Sequence, residues 1–347
     1  MRAPDPHPPS TEAELDERLA EPTPGTAQAA EELGGDLIIL GAGGKMGPSL
    51  AALARRSIHA AGVSYRVICA SRFSDPELRK NLEAAGIGTV ACDLLDPAQV
   101  RELPDAPNVV FMVGRKFGTG PDAAATWAAN CVAPALAAER YRRSRTVALS
   151  TGNLYPLVPV ESRGANEETP VGPVGEYAQS CLGRERVLEY CSRRHDTPMT
   201  LIRLNYATDL RYGVLLDIAQ KVRHGEPVDL AMGFFNTIWQ GDANAAILRA
   251  LSLCESPPAV LNVTGPEVLS AMDVATRLAA LMAAPEPVFT GVESGQALLS
   301  DASRCHELFG RPRVSAETLV EWTANWILSG GRALGTPTHF EVCDGAF

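Results

Sequence analysis

The stretch from Leu37 to Ala60 constrains the fold most. Four apolar residues, Leu37-Ile-Ile-Leu40, run straight into Gly41-Ala-Gly43-Gly44-Lys45-Met46-Gly47, and an Ala- and Leu-rich segment follows. A short apolar run ended by glycines reads as a buried strand, and the segment after it has helical spacing. Glycines at such a junction let the backbone turn tightly and approach a pyrophosphate, which the free N–H groups and dipole of a helix N-terminus attract. Loops also hold glycine for turn geometry alone, but this placement after a first strand and before a helix favours dinucleotide binding. Gly41, Gly43, Gly44, Lys45, Met46 and Gly47 are therefore candidate cofactor-binding residues.

From Asp36 onward, apolar β-rich runs alternate with helical patterns, which predicts an α/β fold: a doubly wound parallel sheet of the Rossmann type. The expected strands are 36–40, 66–70, 89–92, 108–113, 146–150 and 199–204, with crossover helices near 47–61, 122–142 and 175–195. After Asn205 the alternation breaks into helix-rich segments with short strands, including Leu261-Asn-Val-Thr264. The expected organisation is a leader over 1–34, a dinucleotide-binding domain over 35–205, a smaller substrate lobe over 206–330 and a tail over 331–347. The leader is Pro-rich and polar, and is expected to be mostly disordered or loosely docked.

Composition removes several function classes. The formal net charge of -10 disfavours nucleic acid and anionic membrane surfaces, since both reward surplus Lys and Arg. No run reaches the roughly 18 apolar residues of a membrane span. The first 35 residues hold no apolar signal core, and the eight cysteines are scattered singly, Cys343 the last of them. That pattern fits reduced thiols in the cytoplasm and gives no ligand spacing for a metal. For the cofactor, the second strand ends in Ser71-Arg72, with the nearest acid at Asp75. An arginine there favours the 2′-phosphate of NADP over the ribose hydroxyl of NAD, although a solvated loop arginine has the same sequence. NADP is thus preferred and NAD is the alternative. Asp93-Leu94 after the third strand is placed to hold the adenine edge, or is simple turn chemistry; Gly114 follows the fourth strand near the cofactor.

The fifth strand ends in hydroxyl residues, Ser150-Thr151-Gly-Asn153-Leu-Tyr155-Pro, and Tyr177-Ala-Gln-Ser180-Cys181 lies on the next helix. A hydroxyl can hold a substrate oxygen while a tyrosine gives or takes its proton beside a hydride carrier. These parts resemble the extended short-chain dehydrogenase/reductase family of NAD(P)-dependent epimerases and dehydratases. Gly41-x-x-Gly44-x-x-Gly47 is similar to its Thr-Gly-x-x-Gly-x-x-Gly turn, with Leu40 for Thr. Ser150-Thr151-Gly-Asn-Leu-Tyr-Pro resembles Ser-Ser-x-x-Val-Tyr-Gly, and Tyr177 to Glu185 resembles Tyr-x-x-Ser-Lys-x-x-x-Glu. Arg203-Leu-Asn205, Trp239-Gln-Gly-Asp242, Leu261-Asn-Val-Thr-Gly265 and Ser300 to Gly310 extend the match over roughly 36–330. The resemblance implies catalytic roles for Thr151 and Tyr177, substrate contacts from Asn153 and Asn205, a sugar, sugar-nucleotide or similar polyhydroxy substrate, and a homodimer through helices 122–142 and 175–195. A small-molecule ketone or aldehyde reductase has the same parts.

The departure is Cys181, where the family has a lysine. A phenol ionises near pH 10, so bringing it to neutrality takes about 4 kcal/mol of differential stabilisation, which a cation one turn away partly supplies. Three readings stand side by side. Lys116, after the fourth strand, substitutes for the lysine; or the positive charge of an oxidised nicotinamide suffices; or catalysis is lost and the fold binds or senses NADP. Cys181 itself lacks the electropositive setting of a reactive thiolate and reads as a small buried thiol.

Overall fold

The computed structural model describes residues 7–116, 122–342 and 345. Seven strands form one parallel sheet: β1 (Leu37–Leu40), β2 (Val67–Ser71), β3 (Gly88–Ala91), β4 (Asn108–Phe111), β5 (Arg145–Thr151), β6 (Met199–Leu204) and β7 (Ala259–Val263), in the order β7-β6-β5-β4-β1-β2-β3. All four residues of β1 are buried, because the sheet is covered on both faces. Leu37 and Ile39 enter one apolar core and Ile38 and Leu40 the other, as the two-residue strand period dictates.

Helices α1 (Glu12–Leu19) and α2 (Pro24–Glu31) precede the sheet, and α3 (Gly47–Ala60), α4 (Pro76–Ala84) and α5 (Pro97–Arg101) carry the chain from β1 to β4. Between β4 and β5 lie α6 (Ala123–Trp127), a π turn over Ala128–Val132 and α7 (Ala133–Arg140). The 21-residue α8 (Gly175–His195) then leads to β6. After it come α9 (Val214–His224), α10 (Gln240–Arg249), α11 (Ala271–Met282), α12 (Ser303–Phe309) and α13 (Ala316–Leu328). The strand order reverses between β1 and β4, so the carboxyl ends of these strands open on the crevice where such sheets bind ligands.

Three expectations change. Residues 7–34 are not a loose leader: Leu15 and Leu19 on α1 are fully buried with α9, α11 and α13, while Ala30 on α2 is fully buried in the core beside α3. The two leucines lie four apart and so share one helix face, while the polar residues that dominate the composition face outward. The chain after 205 is not wholly a separate lobe, since β7 extends the main sheet and α10 packs on α2 and α3. The lobe proper is built on α9, α11 and α13, around Trp239 and Trp322. The terminal segment is also anchored. Leu334 N–H donates to the Arg211 carbonyl at 2.9 Å, and Phe340 is 1% exposed, 6.1 Å from the Phe235 ring. Cys343 lies outside the described residues.

Candidate functional site

The glycine turn is built by exclusion of side chains. Gly41 has φ +87°, and a Cβ there would lie 2.7 Å from the Val113 side chain. A Cβ at Gly47 would meet the Ala42 carbonyl oxygen at 2.2 Å, so α3 can start there only with glycine. No side chain caps α3, so the N–H groups of its first turn, apart from Pro48 which has none, are not taken by a capping side chain and can serve an anion. The cradle therefore fits a pyrophosphate.

Two adjoining clefts run from this turn and share Gly41, Gly44 and Gly114. One, of about 480 Å³, also carries Gly43, Arg72, Asp93 and Leu94. Asp75 is not free to read a ribose there, because its carboxylate caps α4 by accepting from Glu77 N–H at 2.9 Å. Asp93 accepts from Leu95 N–H at 3.0 Å, which is turn chemistry at the cleft wall. The other, of about 420 Å³, is lined by Lys45, Met46, Lys116, Thr151, Asn153, Tyr177 and Asn205. Every candidate residue from the sequence except Gly47, which is packed against the Ala42 backbone at the start of α3, thus borders one of the two clefts.

At the end of β5 neighbouring side chains alternate. Ser150 points inward and donates to Glu185 at 2.6 Å, whereas Thr151 turns to the cleft and donates to Asn153 Oδ1 at 3.0 Å. Glu185 in turn receives two bonds from Arg203, at 3.0 and 2.7 Å, and Arg203 donates to the Tyr155 hydroxyl at 2.9 Å. This buried network pins α8 to β5 and β6, and thereby sets the height of Tyr177. Asn205 is 2% exposed and donates to Asn236 Oδ1 at 2.8 Å. Its amide ties the strand end to the lobe as well as edging the cleft.

Burial pushes the Tyr177 phenol well above its usual range; the adjoining Cys181 adds to this, while Arg184 and Thr151 oppose it. Cys181 is fully buried and its thiol is also pushed up by burial, so it is neutral and is no nucleophile in this state. Lys116 is pushed down to about 8, by burial first and then by the nearby Lys45. Its ammonium donates to the Thr338 carbonyl at 3.2 Å, which brings the terminal segment to the cleft mouth. The Lys45 ammonium lies 3.2 Å from the centre of the Tyr212 ring.

Asn130, in the π turn, escaped the sequence reading. Its Oδ1 accepts from Arg115 N–H at 3.0 Å and its Nδ2 donates to Ser180 Oγ at 2.8 Å, joining the loop after β4 to the tyrosine helix. Arg184 and Thr338 were missed as well. No local pattern marks any of the three, since each acquires its place only through packing.

The seven-stranded sheet, the glycine turn and the hydroxyl pair define a nucleotide-binding α/β enzyme fold. The family model described as NAD dependent epimerase/dehydratase family matches residues 37–229, more than half of the chain, and the protein belongs to that family. Solved structures agree in fold. UDP-glucose 4-epimerase from Thermotoga maritima with UDP-glucose is 17% identical, with 85% of this chain and 99% of that one covered and a TM-score of 0.68. The dTDP-glucose 4,6-dehydratase from Streptomyces venezuelae with NAD is 16% identical over 84% and 97%, at 0.70. UDP-glucose 4-epimerase from Thermus thermophilus with NAD is 20% identical over 84% and 98%, at 0.68. No curated protein matches the chain. No described helix is long and apolar enough to cross a membrane.

Proposed function

We propose that the protein is an NADP-dependent epimerase, dehydratase or oxidoreductase that acts on a sugar, a sugar nucleotide or a similar polyhydroxy substrate, as a homodimer in the cytoplasm. The observation that carries this reading is the meeting of Thr151 and Tyr177 in a cleft continuous with the glycine turn. The nucleotide-sugar complexes and NAD complexes among the structural neighbours support the same substrate and cofactor classes. Arg72 at the end of β2, with Asp75 committed to a helix cap, favours the 2′-phosphate of NADP.

The dinucleotide supplies the hydride acceptor and donor. The chain supplies the rest. Gly41 to Gly47 and the start of α3 hold the pyrophosphate. Thr151 orients the substrate oxygen, and Asn153 limits the rotation of the Thr151 hydroxyl. Tyr177, once nearby positive charge offsets the burial that favours its neutral form, takes the proton of a substrate hydroxyl during its oxidation and returns it on reduction.

The test is to saturate the protein with NADP or NAD, offer a panel of nucleotide sugars and simple carbonyl compounds, and follow absorbance at 340 nm together with NMR of the products. An epimer, a dehydrated sugar or a net redox product is expected, and none should form with Tyr177→Phe. Bound dinucleotide with no product across the panel would leave the chain as a sensor and overturn the reading.

A further inference from the structure

Arg184 lies on the tyrosine helix, seven residues after Tyr177 and three after Cys181, so the three side chains share one helical face. It is 4% exposed. Its Nη1 donates to the Leu149 carbonyl at 2.7 Å and its Nη2 to Asn130 Oδ1 at 2.6 Å. Both acceptors are neutral, its Nε has no partner, and among the described residues no carboxylate pairs with it. The adjacent Glu185 is occupied by Arg203. A cation taken out of water and held only by neutral oxygens keeps its field for the groups beside it. Those groups belong to the cleft: a Cβ at Gly114 would come within 2.9 Å of Nη2, and Gly114 lines both clefts.

We propose that Arg184 stands in for the lysine absent at Cys181, a positioning residue whose charge stabilises the Tyr177 phenolate from one turn further along the helix. The inference rests on the reading of Tyr177 as the acid/base group. Arg184 opposes the burial that pushes up the Tyr177 phenol, the Cys181 thiol and, on the π turn, the Cys131 thiol. Lys116, from the loop after β4, is the other cation near Cys181, and Glu185 is the nearby acid. A lysine at 181 beside Arg184 would bury two like charges one turn apart, so a single cation from either position is the workable arrangement.

The test uses the full-length protein without ligands, with a polyfluorinated tyrosine placed at 177, whose ring fluorines acidify the phenol enough to offset its burial and bring the midpoint into a measurable range, and its ionisation followed by ¹⁹F NMR. Arg184→Gln should raise the midpoint by about one pH unit or more. Arg184→Lys should return most of that shift, and so should Cys181→Lys added to Arg184→Gln. An unchanged midpoint in folded Arg184→Gln would overturn the proposal, as would a shift produced by Lys116→Gln alone. If Arg184→Gln does not fold, the Cys181→Lys/Arg184→Gln chain decides: a parental midpoint supports interchangeable cations, and a raised one contradicts them. Fluorescence titration of the same variants with NADP reads the proposed function separately. A phenol shift without dinucleotide binding would remove the function but leave the role of Arg184, and binding without a phenol shift would do the reverse.

Discussion

At the scale of single residues, the site depends on where a few charges are buried. Arg203 and Glu185 are 6% and 2% exposed and hold each other through two bonds. Glu185→Gln leaves the guanidinium without its anion, and a loss of about 3–5 kcal/mol is expected in urea unfolding. Lys116 gives a second prediction, this one in pH. With its ammonium pushed down to about 8, it is a cation below that pH and neutral above it. A phosphate-bearing ligand in this cleft should therefore bind evenly from pH 6 to 7.5 and more weakly above 8. The expected loss is about fivefold, from roughly 1 kcal/mol of charge pairing at the half-buried cleft wall. Lys116→Met should bind more weakly throughout and show a smaller fall, because Lys45, pushed down to about 8 by its own burial, lines the same cleft; isothermal titration at several pH values checks both. The places of Thr151, Tyr177 and Gly41, Gly43 and Gly44 along the clefts were legible in the sequence because a strand end, a glycine turn and a helix start are local patterns. The places of Arg184 and Asn130 beside the cleft were not, because an arginine or asparagine on a helix acquires its surroundings only when other elements close around it.

Among the elements, the strand periods and the α8 pattern were read nearly to the residue, since apolar runs and helical spacing are local properties. Partnership is not local. β7 looked like a lobe strand because it follows the break in alternation, yet it pairs with β6 along its whole length. The leader looked mostly disordered or loosely docked because its polar, exposed faces dominate the composition. Leu15, fully buried among α9, α11 and α13, contradicts that impression. Leu15→Ala should cost about 2–5 kcal/mol and lower the thermal midpoint, whereas a disordered leader would register no change.

The whole molecule joins the sheet, the lobe and the C-terminal segment around the paired clefts. The terminal segment crosses from the lobe toward the start of α8: Thr338 N–H donates to Asp217 at 2.7 Å, and Gly345 lies against Val174 and Gly175. On the outer side, Trp127, Val132 and Tyr190 are 37%, 48% and 62% exposed on the helical stretches expected to form a dimer. Sedimentation should show a dimer for the parent chain and a shift to monomer for Val132→Glu with Tyr190→Glu; a monomeric parent would contradict the dimer. The central claim is that a dinucleotide lies across both clefts with its reactive ring at Tyr177. A crystal structure with NADP tests it most directly. The account predicts the pyrophosphate on Gly41 to Gly47, the 2′-phosphate near Arg72, and the nicotinamide ring facing Tyr177, with the phenol oxygen about 3–3.5 Å from the substrate oxygen in a ternary complex. A dinucleotide seated elsewhere, or a ring turned away from Tyr177, would contradict it.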